Sequence, residues 1–126
     1  MLHTVLIFIG GGLGAASRHW VGHVALRQFG TGFPAGTLIV NVVGSLFMGL
    51  LIGWLARRGT VSNELRLFLA TGFLGGFTTF SAFSLDFASL WDRGETISAF
   101  SYAMASVIVS IFAVFAGLWL MRSQAV

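Results

Sequence analysis

Hydrophobic residues dominate this chain in four long runs, and the charged positions fall between them. Residues 1–17, 28–56, 67–85 and 96–121 contain no Arg, Lys, Asp or Glu. A helix needs roughly 20 apolar residues to cross a hydrocarbon core of about 30 Å. The pattern therefore predicts an all-α membrane protein, a single domain over residues 1–126 with four transmembrane helices at about 2–27, 36–56, 63–91 and 97–121. Almost nothing is left for a domain outside the bilayer. Between the first two runs, Phe29-Gly30-Thr31-Gly32-Phe33-Pro34 reads as a turn and holds the only proline. Ser62-Asn63-Glu64 offers a cap for the third helix. Met1-Leu2-His3 lacks the basic region of a cleaved signal peptide, so the first run is read as a retained span.

The polar positions inside the runs carry more information than the runs do. In the third, Thr71-Gly72-Phe73-Leu74-Gly75-Gly76-Phe77 leads directly into Thr78-Thr79-Phe80-Ser81-Ala82-Phe83-Ser84. A glycine in a helix interior costs roughly 1 kcal/mol against alanine. Irregular backbone at membrane depth is tolerated only where it is buried in protein or lines a wet cavity. The third helix is therefore expected to break near Gly75–Thr78, with Thr78, Thr79, Ser81 and Ser84 just beyond the break at a permeation or ion-binding site. Phe80 and Phe83 are three apart and share a helix face.

The second run has two strongly polar side chains, Asn41 and Ser45, four apart and on one face. Asn41 is either glue between helices or a donor facing a permeating ion. The fourth run carries Ser98, Tyr102, Ser106 and Ser110 at four-residue spacing, a hydroxyl stripe on an otherwise apolar helix. Such serines can simply bond back to the i−4 carbonyl; in register, they read as a polar track. Arg18, well inside the first span, either snorkels to the interface or sets a positive charge at a pore mouth.

Composition narrows the class. The chain is 56% hydrophobic and 9% charged, against about 25% charged for a soluble domain. It has no cysteine, which removes disulfides and thiolate metal sites. Seven basic residues against four acidic give a net charge of +3, but they are scattered arginines without a cluster, so no nucleic-acid partner is expected. Four spans would place Arg57, Arg58, Arg66 and Arg122 on one side and Arg18, Arg27 and Arg93 on the other. Short-loop Lys/Arg bias sets orientation, and here the bias nearly vanishes. Either the chain inserts both ways round and forms an antiparallel homodimer, or one strong span fixes a single orientation. Gly10, Gly14 and Ala15 in the first span, with Gly44, Gly49 and Gly53 in the second, offer small-residue faces for such an assembly.

Enzymatic chemistry has no foothold. No nucleophile–base pair or metal-ligand cluster is present, and Gly10-Gly11-Gly12-Leu13-Gly14 follows no strand and lacks the Lys-Ser/Thr ending of a phosphate loop. Hydroxyls, one amide, aromatic edges and arginines remain, with no acid deep in any span. Weak donors and positive ring edges suit passage of a small, strongly hydrated anion. The rival is a four-helix proton-coupled exporter similar in size to the small multidrug resistance transporters. Those need an acid in the first span, and residues 1–17 contain none.

Residues 10–18 (Gly-Gly-Gly-Leu-Gly-Ala-Ala-Ser-Arg), 36–45 (Gly-Thr-Leu-Ile-Val-Asn-Val-Val-Gly-Ser) and the stretch 71–84 closely resemble the Fluc/CrcB family of bacterial fluoride channels. The resemblance implies a multi-pass protein of the bacterial inner membrane, an antiparallel dual-topology homodimer in the lipid bilayer. It also implies two pores exporting cytoplasmic fluoride passively. Carried over, Phe80 and Phe83 are the pore phenylalanines, with Asn41 and Thr79 beside them; Ser81, Ser84, Tyr102, Ser106 and Ser110 extend the polar track; and Arg18 stands at a vestibule. A structural sodium ion at the dimer interface would be held by the backbone carbonyls of Gly75 and Thr78. One position departs: the family usually reads Thr-Thr-Phe-Ser-Thr-Phe-Ser, and Ala82 removes one hydroxyl.

Overall fold

The computed structural model describes residues 1–59 and 62–123. Thr60, expected with Arg57-Arg58-Gly59 to close the second span, lies outside the described residues. Every regular element among them is helical: α1 (Leu2–Phe29), α2 (Ala35–Arg58), α3 (Asn63–Arg66), a π-helical stretch (Leu67–Leu74), α4 (Gly75–Phe77), α5 (Ser81–Asp92) and α6 (Thr96–Ser123). Ser62 Oγ accepts the Leu65 N–H at 3.3 Å, the cap its sequence promised. Gly30 and Gly59 follow α1 and α2 at φ 77° and 74°, a left-handed closure that glycine adopts without steric cost.

The chain threads up and down. At one end Arg93 Nη2 donates to the Gly32 carbonyl at 3.2 Å and pairs with Glu95 at 3.0 Å, tying the turn after α1 to the turn after α5. At the other end His3 lies 3.5 Å from Glu64, placing the start of α1 beside the start of α3. Both contacts require α1 and the α3–α5 segment to run in the same direction, with α2 and α6 returning.

Among the described residues three helices are long and apolar enough to cross a membrane: Ala35–Arg58, the broken Asn63–Asp92, and Thr96–Arg122. α1 has the length, 28 residues, but His3, Arg18, His19, His23 and Arg27 along it lower its hydropathy. Large apolar side chains face outward, Phe8 at 80%, Phe112 at 70% and Trp119 at 63% exposure. Water would not tolerate that surface; acyl chains are indifferent to it.

The small-residue faces are used inside the chain. α2 packs mainly on α6, and α1 on the π-helical stretch and α4. A Cβ on Gly49 would strike the Val114 carbonyl, and one on Gly117 the Leu46 carbonyl, so the two backbones touch at reciprocal glycines. Gly10 lies over the Phe68 carbonyl, Gly14 over the Phe73 carbonyl, and Gly76 over the Gly11 carbonyl in the same way. Gly44 abuts the Thr78 side chain and Gly53 that of Met121. The faces expected to join two copies instead bring helices of one copy together.

The break lies downstream of the paired glycines. Gly75 and Gly76 are helical, and Thr78 is the first residue to turn extended, at φ −86° and ψ 160°. Upstream, the Gly75 N–H reaches the Ala70 carbonyl, five residues back, which is the π spacing. The role of Gly76 is therefore room for α1, and the chain is broken by side chains that compete for its backbone donors.

Candidate functional site

Two side chains open the helix. Asn41, in the second turn of α2, donates Nδ2–H to the Thr79 carbonyl at 3.0 Å and accepts the Thr79 N–H on Oδ1 at 2.8 Å. In a continuous helix that N–H would close on Gly75. Thr79 Oγ1 accepts the Ala82 N–H at 3.1 Å, which starts α5 and takes the donor that would have closed on Thr78. Arg18 Nε donates to the Gly76 carbonyl at 3.2 Å, replacing the Phe80 N–H carried away by the break. The carbonyls of Gly75 and Thr78 are thereby left without their helical donors. Gly75 is exposed and Thr78 half-buried.

Around this break a cavity of about 340 Å³ is lined by Asn41, Thr78, Thr79, Phe80, Phe83, Ser106 and Ser110, with Ser45 on one wall. α2, the break and α6 thus bring together most of the residues singled out from the sequence. The rings of Phe80 and Phe83 are 5.5 Å apart at 48°, and Phe80 is 77% exposed, so the cavity is open on its side. Ser106 Oγ and Ser110 Oγ are buried and find no hydrogen-bond partner among the described residues. A buried hydroxyl left unpaired costs about 1–3 kcal/mol. Both serines line the cavity with Phe80 and Phe83, although their hydroxyl oxygens are themselves sealed within its wall. Among the described residues no carboxylate lines this cavity.

Besides Gly75, four expected site residues stand outside this cavity. Ser81 and Ser84 lie on the exposed side of α5. Ser81 Oγ is 3.3 Å from Thr79 Oγ1, and Ser84 Oγ donates to the Phe80 carbonyl at 3.1 Å, a local back-bond. Tyr102 is fully buried, and its hydroxyl donates to Asp86 Oδ2 at 3.0 Å. Its ring meets Phe33 edge-on at 5.5 Å and Phe83 at 5.2 Å, so it braces the cavity from behind. Arg18 borders a second cavity of about 320 Å³ with His19, His23, Thr37, Thr79 and Ala82. Thr79 belongs to both cavities.

Sequence reasoning passed over Asp86 as the partner of Tyr102. The signal was available: an acid three residues after Phe83, on the same face. Asp86 lines a third cavity of about 600 Å³ near the α1–α2 turn, together with Thr31, Asp92 and Arg93. Ser45 was also left out, although its spacing from Asn41 put it on the same wall. Among the described residues no three His, Asp or Glu side chains gather as metal ligands.

Known proteins match over nearly the whole chain. The family described as CrcB-like protein, camphor resistance (CrcB), matches residues 5–118. A protein of Mesorhizobium japonicum named fluoride-specific ion channel FluC is 60% identical over 123 residues, covering 98% of each chain. One of the same name from Chelativorans is 58% identical over 123 residues, again 98% of each. Fluoride-specific ion channel FluC 2 of Nitrobacter hamburgensis is 53% identical over 121 residues, 96% of this chain and 98% of its own.

Proposed function

The chain belongs to the CrcB family, and from that premise we propose that the cavity between α2, the break and α6 is its fluoride pathway. The protein is a membrane channel for fluoride, not an enzyme. The observation that carries the assignment of the pathway is one cavity lined by Phe80 and Phe83 together with Ser106 and Ser110, whose buried hydroxyls have no partner among the described residues. Fluoride is compact and tightly hydrated, and stripping its water without replacement costs tens of kcal/mol. Hydroxyl donors and ring edges replace that shell piecemeal, while the absence of a full positive charge in the cavity keeps any one site weak enough to leave. Asn41 contributes by holding the break, with its second amide hydrogen available to the ion. The exporter alternative requires a titrating acid at the transport site; Asp86 is instead bonded to Tyr102 and lies outside the phenylalanine cavity.

In this reading α1 is the fourth span, its arginine and histidines turned to cavities and interface instead of lipid. The working unit is an antiparallel homodimer in the bacterial inner membrane with two pores. The exposed Phe80 and the open side of its cavity are what a second copy would close. Gly75 and Thr78 fit a sodium ion: both carbonyls have lost their helical donors, and hard neutral oxygens suit a monovalent cation. Two oxygens from one chain cannot complete a shell, whereas a two-fold axis doubles them to four.

Fluoride efflux from reconstituted liposomes tests the function, measured with chloride and proton flux alongside. Fast fluoride efflux needing no proton gradient, with chloride retained, is expected; proton-coupled drug movement would select the exporter. Phe80→Ile and Phe83→Ile should each slow that efflux by roughly tenfold or more, on the order of 1.4 kcal/mol, with dimer yield far less affected. Normal flux in both variants would reduce the rings to packing. Ala82→Thr puts a hydroxyl on the wall of the Arg18 cavity and should leave selectivity intact with flux equal or higher. Loss of discrimination against chloride would show that position 82 is misplaced. C-terminal reporter fusions test the assembly, which requires both orientations to be found.

A further inference from the structure

Four aromatic rings stand in unbroken contact from the turn after α1 to the phenylalanine cavity. Phe33 meets Tyr102 at 5.5 Å, Tyr102 meets Phe83 at 5.2 Å, and Phe83 meets Phe80 at 5.5 Å. Phe80 and Phe83 line the phenylalanine cavity, whereas Phe33 lines the large cavity near the α1–α2 turn. Tyr102 lines neither and is fully buried, so its ring fills the space between them. Phe33 is fixed at its own end. Pro34 follows it and disfavours helical backbone at position 33, and the Phe33 carbonyl accepts the Ala35 N–H at 2.8 Å. Arg93, just beyond α5, grips the two residues before it, donating to the Thr31 and Gly32 carbonyls at 3.5 and 3.2 Å.

We infer that Phe33 is a positioning residue for conduction: acting through Tyr102, it sets which part of the Phe83 ring faces the ion. The inference rests on the fluoride-pathway reading and adds a residue outside the cavity to it. A phenyl ring is positive at its edge and negative on its face. The tilt of Phe83 therefore decides whether it welcomes an anion or repels it. Tyr102 backs that ring, and its hydroxyl donates to Asp86 at 3.0 Å. Phe83 and Asp86 are three apart on α5, neighbours on one face, so Tyr102 reads the position of both. The hydroxyl bond alone cannot fix the tyrosine plane. The oxygen lies on the axis about which the ring turns, and rotation leaves the bond in place. Phe33 supplies the missing restraint, because its ring stands at 90° to that of Tyr102 and opposes the rotation. An aliphatic side chain at position 33 would fill space without presenting that edge.

The test compares fluoride efflux per folded protein in the full chain, Phe33→Leu, Phe83→Ile and the double variant. Phe33→Leu keeps an apolar side chain in a half-buried turn position, so the fold should persist. Its efflux should slow by roughly two- to tenfold, the range an aromatic pair commands. In the Phe83→Ile background the same change should slow efflux no further, since the ring it positions is gone. Phe33→Tyr retains the ring and should restore most of the parental rate. A second measurement reads Tyr102 directly, because it is the only tyrosine in the chain. In protein labelled with carbon-13 tyrosine, its ring flips should quicken in Phe33→Leu and not in Phe33→Tyr. Parental efflux in Phe33→Leu, effects that multiply fully with Phe83→Ile, or an unchanged flip rate overturns the positioning role while leaving the pathway intact. Normal efflux in Phe83→Ile overturns the pathway reading and the positioning role with it.

Discussion

Asn41→Ala should abolish fluoride conduction and destabilise the protein at once, because one side chain both walls the cavity and holds the break. The substitution removes two hydrogen bonds to the Thr79 backbone, at 3.0 and 2.8 Å. Each bond is worth about 0.5–1.5 kcal/mol net, and a stranded backbone group costs about 1–3 kcal/mol. With the clamp gone, the Thr79 N–H can return to the Gly75 carbonyl, which would straighten the helix and carry Phe80 and Phe83 away from Ser106 and Ser110. A stability loss of roughly 2–4 kcal/mol is expected, read as a lowered unfolding midpoint in detergent. Asn41→Asp separates the two roles. The carboxylate still accepts the Thr79 N–H, yet it no longer donates and it sets a negative charge in an anion cavity. Folded protein should survive better than with alanine while flux per folded protein falls at least as far. If Asn41→Asp conducts like the parent, the cavity is not the pathway.

Gly14→Ala should cost more than any other single methyl added to α1. Its Cβ would meet the Phe73 carbonyl and the Phe77 N–H, both backbone and both unable to rotate away. Forcing extra volume into a packed contact costs about 1–3 kcal/mol, and here the displaced element carries the break, so flux should fall with stability. Gly12→Ala, half a turn away, meets nothing within 4 Å. It should be neutral or stabilising by up to about 1 kcal/mol through helix propensity alone. Thermal unfolding of the two variants beside the parent decides the matter. Equal effects would mean that α1 is not seated on the third span as described.

Much of the site was legible because polar side chains in an apolar run are costly and so must have partners or ligands. Asn41, Ser106 and Ser110 stood out on that ground, Phe80 and Phe83 because they interleave with hydroxyls just after the break, and the fold brings all five to one cavity. Ser84 stood out equally, yet its hydroxyl is satisfied four residues back by Phe80. Spacing cannot distinguish a serine that answers its own helix from one that faces a cavity, since both occupy the same register. The glycines posed a similar ambiguity. Paired Gly75-Gly76 marks a place where helix propensity is poor, which is where a break was expected. The helix nevertheless passes through them, because Gly76 has α1 pressed against it, and the chain opens at Thr78 only after Asn41 captures the next N–H.

Apolar run lengths, the shortage of charge and the hydroxyl spacing determined by themselves that this is a helical membrane protein whose spans carry uncharged hydrogen-bond donors. Those properties depend on each residue's own transfer energy and on helical periodicity, both of which are local. Which carbonyls are freed, which hydroxyls stay unpaired and what Arg18 touches were decided by the tertiary structure. Each depends on competition for a single N–H or C=O between a neighbour four residues away and a side chain from another helix, and Asn41 is 38 residues from the backbone it holds.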